Sequence, residues 1–180
     1  MADRKSSRDR NLDEILKSLS SKFSFCSELK YEQRVAINNL VYGNDVLAVL
    51  PTGYGKSFIF QIFVLACERE RRMSASVIVI CPLKSLVDDQ IEEAKAIGIS
   101  ACALSDVSVE DLRSAKFQLM FGSAEVVLDT DTLNVIKDRT FPLHNNFVAV
   151  VADECHTVLI LSQTYSRENF QQSGFSQTIF

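Results

Sequence analysis

The stretch Leu50-Pro-Thr-Gly-Tyr-Gly-Lys-Ser57 lies between an apolar run, residues 46–50, and a helix-forming run that begins at Phe58. Glycines at 53 and 55 permit a tight turn whose N–H groups face inward, and the N-terminus of the following helix adds partial positive charge. Such a turn cradles phosphate, with Lys56 placed for the β- and γ-phosphates and Ser57 for Mg2+. A nucleoside triphosphate is therefore the first ligand to consider. The pattern G-x-x-x-x-G-K-[ST] is incomplete, because Leu50 stands where its first glycine belongs. On spacing alone, an ordinary Gly-rich turn before a helix is the alternative.

Outward from this loop the chain alternates two kinds of text. Short apolar runs at residues 46–50, 77–81, 100–104, 118–121 and 147–152 read as strands buried on both faces. Helical segments at 57–71, 83–97, 109–115 and one or two turns across 124–139 separate them. Upstream, Leu12, Ile15, Leu16 and Leu19 recur at helical spacing behind Asn11 as N-cap, and a second helix spans residues 31–42 before Gly43-Asn44. Regular alternation predicts an α/β fold, a mostly parallel sheet flanked by helices with ligands at the carboxyl ends of its strands. The division expected is a flexible tail over 1–10, one lobe over 11–160, and a divergent tail over 161–180 whose Ser, Gln, Thr and Asn show no clear period.

Composition narrows the function classes. At 180 residues and 47% hydrophobic, the chain can bury one sizeable core. A net charge of −4 argues against a generally basic surface, so contact with nucleic acid has to be a local strip or backbone amides. Cys26, Cys67, Cys81, Cys102 and Cys155 are scattered without C-x-x-C or Cys/His pairing, which predicts reduced thiols with no disulfide and no zinc site. No apolar run reaches about 18 residues, so no membrane partner is expected. The nucleus is the expected compartment: Arg4, Lys5, Arg8 and Arg10 read as a basic address interrupted by Asp3 and Asp9, or as a plain solvated tail.

A second chemical signal closes the last strand. Residues 147–156, Phe-Val-Ala-Val-Val-Ala-Asp-Glu-Cys-His, deliver two adjacent carboxylates and a histidine at a strand end. Beside a phosphate loop, Asp153 would hold Mg2+ through water and Glu154 would orient or deprotonate the attacking water. Alone, an Asp-Glu pair is more often a solvated turn; with Lys56 and Ser57 in the same sheet, the metal-side reading prevails.

Asp153-Glu-Cys-His156 resembles the Asp-Glu-x-His box of superfamily-two helicases, and the remaining motifs resemble the RecQ family most closely. The loop is similar to that family's first ATP motif, an apolar residue followed by Pro-Thr-Gly-x-Gly-Lys-Ser, which accounts for Leu50. Leu29-Lys-Tyr-Glu-Gln-Arg-Val-Ala-Ile37 resembles the upstream adenine motif, with Lys30 at a basic position and Gln33 at the adenine-reading glutamine. Cys81-Pro-Leu-Lys-Ser-Leu-Val-Asp-Asp-Gln90 resembles the Ser-Pro-Leu-x-Ser-Leu-x-x-Asp-Gln segment that follows the single strand, and Ser123-Ala-Glu125 resembles the Thr-Pro-Glu strand-contact motif.

The resemblance covers roughly residues 12–158 and implies one RecA-like P-loop NTPase lobe of an ATP-dependent 3'-5' DNA helicase. It implies ATP binding by Lys30, Gln33, Pro51, Thr52, Gly53, Tyr54, Gly55, Lys56 and Ser57, and catalysis by Lys56, Asp153, Glu154 and His156. It further implies Mg2+ at Ser57 and Asp153, and single-stranded or partly duplex DNA at Pro82, Leu83, Ser85, Ser123 and Glu125. The family's aromatic loop, with Trp-Gly-His-Asp-Phe-Arg-Pro at its core, is replaced by Leu161-Ser-Gln-Thr-Tyr-Ser-Arg-Glu-Asn-Phe170, in a chain without tryptophan. A Thr-Ala-Thr motif, a second lobe and its arginine finger are not recognisable, so a partner or another copy is expected to supply that half. A catalytically inactive nucleotide- or nucleic-acid-binding module is the alternative from another class. An RNA helicase of the Asp-Glu-Ala-Asp type fits less well, since His156 holds the final position of the box. Cys155, beside the proposed base, reads as either a tolerated small residue or a redox-sensitive one. Phe23 and Phe25 read as adenine stackers or, more simply, as a staple for the first helix.

Overall fold

Two interleaved apolar sets in one strand decide how the core is built. In β2 (Ser76–Ile80), Val77 and Val79 pack with one hydrophobic cluster while Ile78 and Ile80 pack with a second. Side chains alternate across a strand, so a strand apolar at every position must be covered on both faces. The computed structural model describes residues 2–23, 28–81, 84–153 and 176–179, with the backbone course alone for residues 2–9, 22, 23, 84, 85 and 176–179.

The other strands are β1 (Val46–Leu47), β3 (Ala101–Ala103), β4 (Leu119–Gly122), β5 (Phe147–Ala152) and β6 (Ser176–Ile179). They form one sheet in the order β1-β6-β5-β2-β4-β3, and every pairing is parallel. Helices α1 (Ala2–Phe23), α2 (Tyr31–Val41), α3 (Lys56–Arg71) and α4 (Lys84–Ala96) bury their apolar residues in the first cluster. The shorter α5 (Val109–Arg113), α6 (Ala124–Val127), α7 (Thr130–Lys137) and α8 (Pro142–Asn146) supply the second. Phe60 of α3 and Phe121 of β4 meet edge to face, with ring centroids 6.1 Å apart.

α1 is held chiefly by Leu12, Ile15, Leu16 and Leu19, all buried, on one stripe of i, i+3, i+4, i+7 spacing. Its ion pairs, Arg34–Asp13 at 2.8 Å and Arg69–Glu14, are exposed and contribute little. Among the described residues, no helix is long and apolar enough to cross a membrane.

Several expectations are corrected here. The backbone is helical from Ala2, where a flexible tail through residue 10 was expected; residues 2–23 contain no glycine or proline to stop the helix. Asn11 is accordingly inside the helix and not its N-cap, and its side-chain amide donates to Glu70 at 3.3 Å. β1 is two residues long, and neither Leu47, 68% exposed, nor Val49, 87% exposed, is covered. An edge strand has one neighbour, so its apolar run need not be buried on both faces. Residues 176–179, read as part of a tail without an element, form β6 between β1 and β5. α8 was not foreseen, although Pro142 at its first turn is a recognised start signal.

Phe121 is fully buried. Replacing it by alanine should cost about 3–5 kcal/mol, a large share of a domain's roughly 5–15 kcal/mol, and a urea unfolding midpoint unchanged by Phe121→Ala would contradict the packing described.

Candidate functional site

The strand register lines up the ends from which the candidate motifs depart. Leu47 pairs with Ile179, Ile179 with Ala152 on β5, Ala152 with Ile80 on β2, and Ile80 with Gly122 on β4. All pairings are parallel, so this row marks one carboxyl rim. Asp153 follows Ala152 directly, the segment 81–85 follows Ile80, Ser123 follows Gly122, and the phosphate loop begins three residues beyond Leu47. With strands about 4.8 Å apart, Leu47 and Ala152 stand about 10 Å apart across β6. The Asp153 N–H donates to the Ile80 carbonyl at 3.1 Å, which extends the β5–β2 ladder to the acid itself.

The loop turns as its glycines require. Gly53 and Gly55 have φ of +74° and +82°, in the left-handed region, and the Tyr54 N–H closes a turn on the Pro51 carbonyl at 3.1 Å. Gly55 is the N-cap of α3 and has no side chain with which to cap it. Lys56 and Ser57 occupy its first turn, both partly exposed.

Gln33 determines where the loop's N–H groups point. It is buried, 3% exposed, and its Oε1 accepts from the Lys30 N–H at 2.9 Å. Its Nε2 donates to the Tyr54 and Gly55 carbonyls, each at 3.0 Å. A trans peptide is planar, with N–H opposite to the preceding C=O. Two carbonyls drawn toward Gln33 therefore aim the N–H groups of Gly55 and Lys56 away from α2, which forms the concave nest that binds anions. Used this way, the Gln33 amide keeps one oxygen lone pair for a base's amino group and no hydrogen of its own.

Lys30 and Glu32 close on the same loop. The Lys30 ammonium lies 3.8 Å from the Tyr54 ring centroid and 3.4 Å from the Tyr54 carbonyl. The Tyr54 hydroxyl donates to Glu32 Oε2 at 2.5 Å. That bond lowers the Glu32 carboxyl below its ordinary pKa and raises the Tyr54 hydroxyl above its own. Glu32 was not singled out from the sequence, because nothing local ties it to a residue 22 positions away.

Elsewhere on the rim the picture is simpler. Ser123 caps α6, accepting from the Val126 N–H at 3.5 Å, and its hydrogen bond to Glu125 lowers that exposed carboxyl. Ser85 lies in the first turn of α4. Pro82, Leu83, Glu154, Cys155 and His156, like Phe25, fall outside the described residues. Cys67 and Cys81 are buried core thiols, and burial pushes the Cys102 thiol up to about 12. A groove of about 440 Å³, not anticipated from the sequence, opens between α2 and residues 45–50, lined by Tyr31, Glu32, Val35, Leu47 and Val49 among others.

A parallel sheet wrapped on both faces, with a Gly-rich loop opening a helix at its carboxyl rim, defines a RecA-like P-loop lobe. The sequence profile of the DEAD/DEAH box helicase family matches residues 30–173, and the chain belongs to that family. Its homologues include RecQ helicases. It is 27% identical over 157 residues to RecQ-like DNA helicase blm-1 of Caenorhabditis elegans, covering 81% of this chain and 15% of that protein. It is 29% identical over 167 residues to ATP-dependent DNA helicase RecQ of Haemophilus influenzae, covering 88% of this chain and 25% of that one. The crystal structure of DUF1998 helicase MrfA bound to DNA superposes with a TM-score of 0.63 at 20% identity, over 92% of this chain and 26% of that one, and so shares the fold. The chain thus spans about a quarter or less of the length of these proteins.

Two outcomes test the geometry. Gly55→Ala forces a left-handed φ on a residue with a Cβ and brings that atom to 2.9 Å from Gln33 Nε2, so it should destabilise the fold by about 1–3 kcal/mol; an unaltered thermal midpoint would contradict the close approach of Gln33 to the loop. Glu32 has a folded pKa below its unfolded one, so its stabilisation is complete at neutral pH and is lost as pH falls through the folded value. Stability measured from pH 6 to pH ~3 should fall less steeply in Glu32→Gln than in the parent chain.

Proposed function

We propose that this chain is the ATP-binding lobe of a RecQ-like 3'-5' DNA helicase, which couples ATP hydrolysis to movement along a single strand and to unwinding. The observation that carries the reading is the Gln33 strut, which turns two loop N–H groups toward the position a phosphate chain would take. Gly55 and Lys56 N–H groups, with the N-terminus of α3, receive the phosphates; the Lys56 ammonium neutralises the β- and γ-oxygens. Lys30 and Gln33 face the base, and Pro51, Thr52, Gly53 and Tyr54 shape the turn beneath the phosphates.

The Ser57 hydroxyl and the Asp153 carboxylate are oxygen donors, the kind Mg2+ takes. Among the described residues there is no cluster of three or more His, Cys, Asp or Glu side chains. Mg2+ takes oxygen ligands, few of them from protein, and the Ser57 hydroxyl and Asp153 carboxylate would complete a set supplied by phosphates and water. When bound, the ion screens the negative charge that builds up on the transferring phosphoryl group. Glu154 accepts the proton of the attacking water, and His156 completes the box beside it.

Pro82, Leu83, Ser85, Ser123 and Glu125 belong to segments that leave the same rim, and this supports a single strand of DNA crossing there. An arginine finger from a second lobe, on a partner or another copy, is worth about 10^3 to 10^5 in rate in related sites, so hydrolysis by this lobe alone is slow. The nucleus is the compartment this reading carries.

ATP hydrolysis with and without single-stranded DNA, beside a Glu154→Gln control, is the direct test. Strand-stimulated turnover lost in the control supports a working motor lobe; binding without turnover means a helicase lobe that needs its second half, and only turnover still absent when a second lobe is supplied assigns the chain to the inactive binding modules. Lys56→Ala should reduce Mg-ATP affinity below detection by calorimetry, and unchanged affinity would remove Lys56 from the phosphate site. In a two-lobed assembly that contains this lobe, unwinding of a 3'-tailed and not a 5'-tailed duplex is the result expected for the polarity.

A further inference from the structure

The side chain of Tyr54 sits in the middle of the phosphate loop and has no part in the chemistry just described. Tyr54 nevertheless reaches three residues at the start of α2. Its ring carries the Lys30 ammonium at 3.8 Å, its hydroxyl donates to Glu32, and its carbonyl accepts from Gln33 at 3.0 Å and from Lys30 at 3.4 Å. All three partners belong to one helical turn, at the N-cap and first turn of α2. Gln33 fixes the loop's backbone; Tyr54 adds a side-chain grip from the same turn.

We propose that Tyr54 is a positioning residue which clamps the phosphate loop to the start of α2 through Glu32 and Lys30, and so sets affinity for the phosphate chain whatever base it carries. The proposal rests on the nucleotide reading of the loop. Residues 52–55 are exposed or half-exposed, and two glycines make their backbone freely deformable. A nest of N–H groups binds an anion only while its peptides keep one orientation, and each freed rotation lowers affinity. The charged acceptor at the hydroxyl makes the stronger kind of hydrogen bond, and the cation over the ring adds a weaker attraction. A glycine or alanine at position 54 would remove the ring and hydroxyl contacts and leave the loop only its backbone bonds, to Gln33, Lys30 and Pro51.

The test compares Mg-ATP, Mg-GTP and Mg-tripolyphosphate, the last having no base, by calorimetry on the parent chain, Tyr54→Phe, Tyr54→Ala and Glu32→Ala. Tyr54→Ala should weaken all three by one common factor of about ten, the scale of a charge-assisted hydrogen bond lost together with a cation–π contact. Tyr54→Phe keeps the ring under Lys30 and should lose about threefold, an effect that disappears when Glu32 is already alanine. Thermal unfolding of each variant separates this from misfolding, and Tyr54→Phe keeps the test available if Tyr54→Ala does not fold. Unchanged or tighter binding in folded Tyr54→Ala would overturn the clamp. A loss confined to Mg-ATP would overturn it as well, by making Tyr54 a base contact. A parent chain that binds none of the three overturns the nucleotide reading itself, which a comparison among variants of a binding parent cannot do.

Discussion

Two hydrogens of one buried amide, on Gln33, are held by two consecutive carbonyls of the phosphate loop, and the geometry of the site follows from that constraint. Peptide planarity turns the grip on the carbonyl side into an orientation on the N–H side. The strut can exist because Gln33 has its own oxygen tied to the Lys30 N–H, which fixes the amide's sense and closes the first turn of α2. It can exist also because Gly55 has no Cβ, for such an atom would meet Gln33 Nε2. Helix start, buried amide and left-handed glycine are one unit, drawn from positions more than 20 residues apart.

The sheet supplies the second constraint. Loop, acid and strand-contact segments come from widely separated parts of the sequence, and parallel pairing in a single register brings their departure points to one row. The apolar strands are covered by α1 to α4 on one face and α5 to α8 on the other, which leaves the carboxyl rim as the place where polar chemistry can gather. A DEAD/DEAH box helicase lobe is an instance of this arrangement.

The strand-loop-helix unit around Lys56, the parallel sheet and the rim position of Asp153 were legible because each depends on local text: alternating apolar runs, glycine spacing, a carboxylate at a strand end. Three features were not legible, for physical reasons. Burial of β1 depends on its neighbours in the sheet, and hydrophobic runs do not say which strand is the edge. β6 has a polar-rich text, Ser-Gln-Thr-Ile, and takes its place from the gap between β1 and β5. The Tyr54–Glu32 bond joins an exposed loop to an exposed helix turn, where no periodicity records a contact. The opposite error, a tail over residues 1–10, came from reading mixed charges as disorder in a segment that has nothing to interrupt a helix.

Backbone amide NMR of the loop tests the central claim most directly. Addition of Mg-ATP should move the Gly55 and Lys56 N–H resonances downfield, as donors to an anion, and Gln33→Ala should largely abolish that movement. Resonances that do not respond to Mg-ATP, or that respond equally without Gln33, would contradict the account.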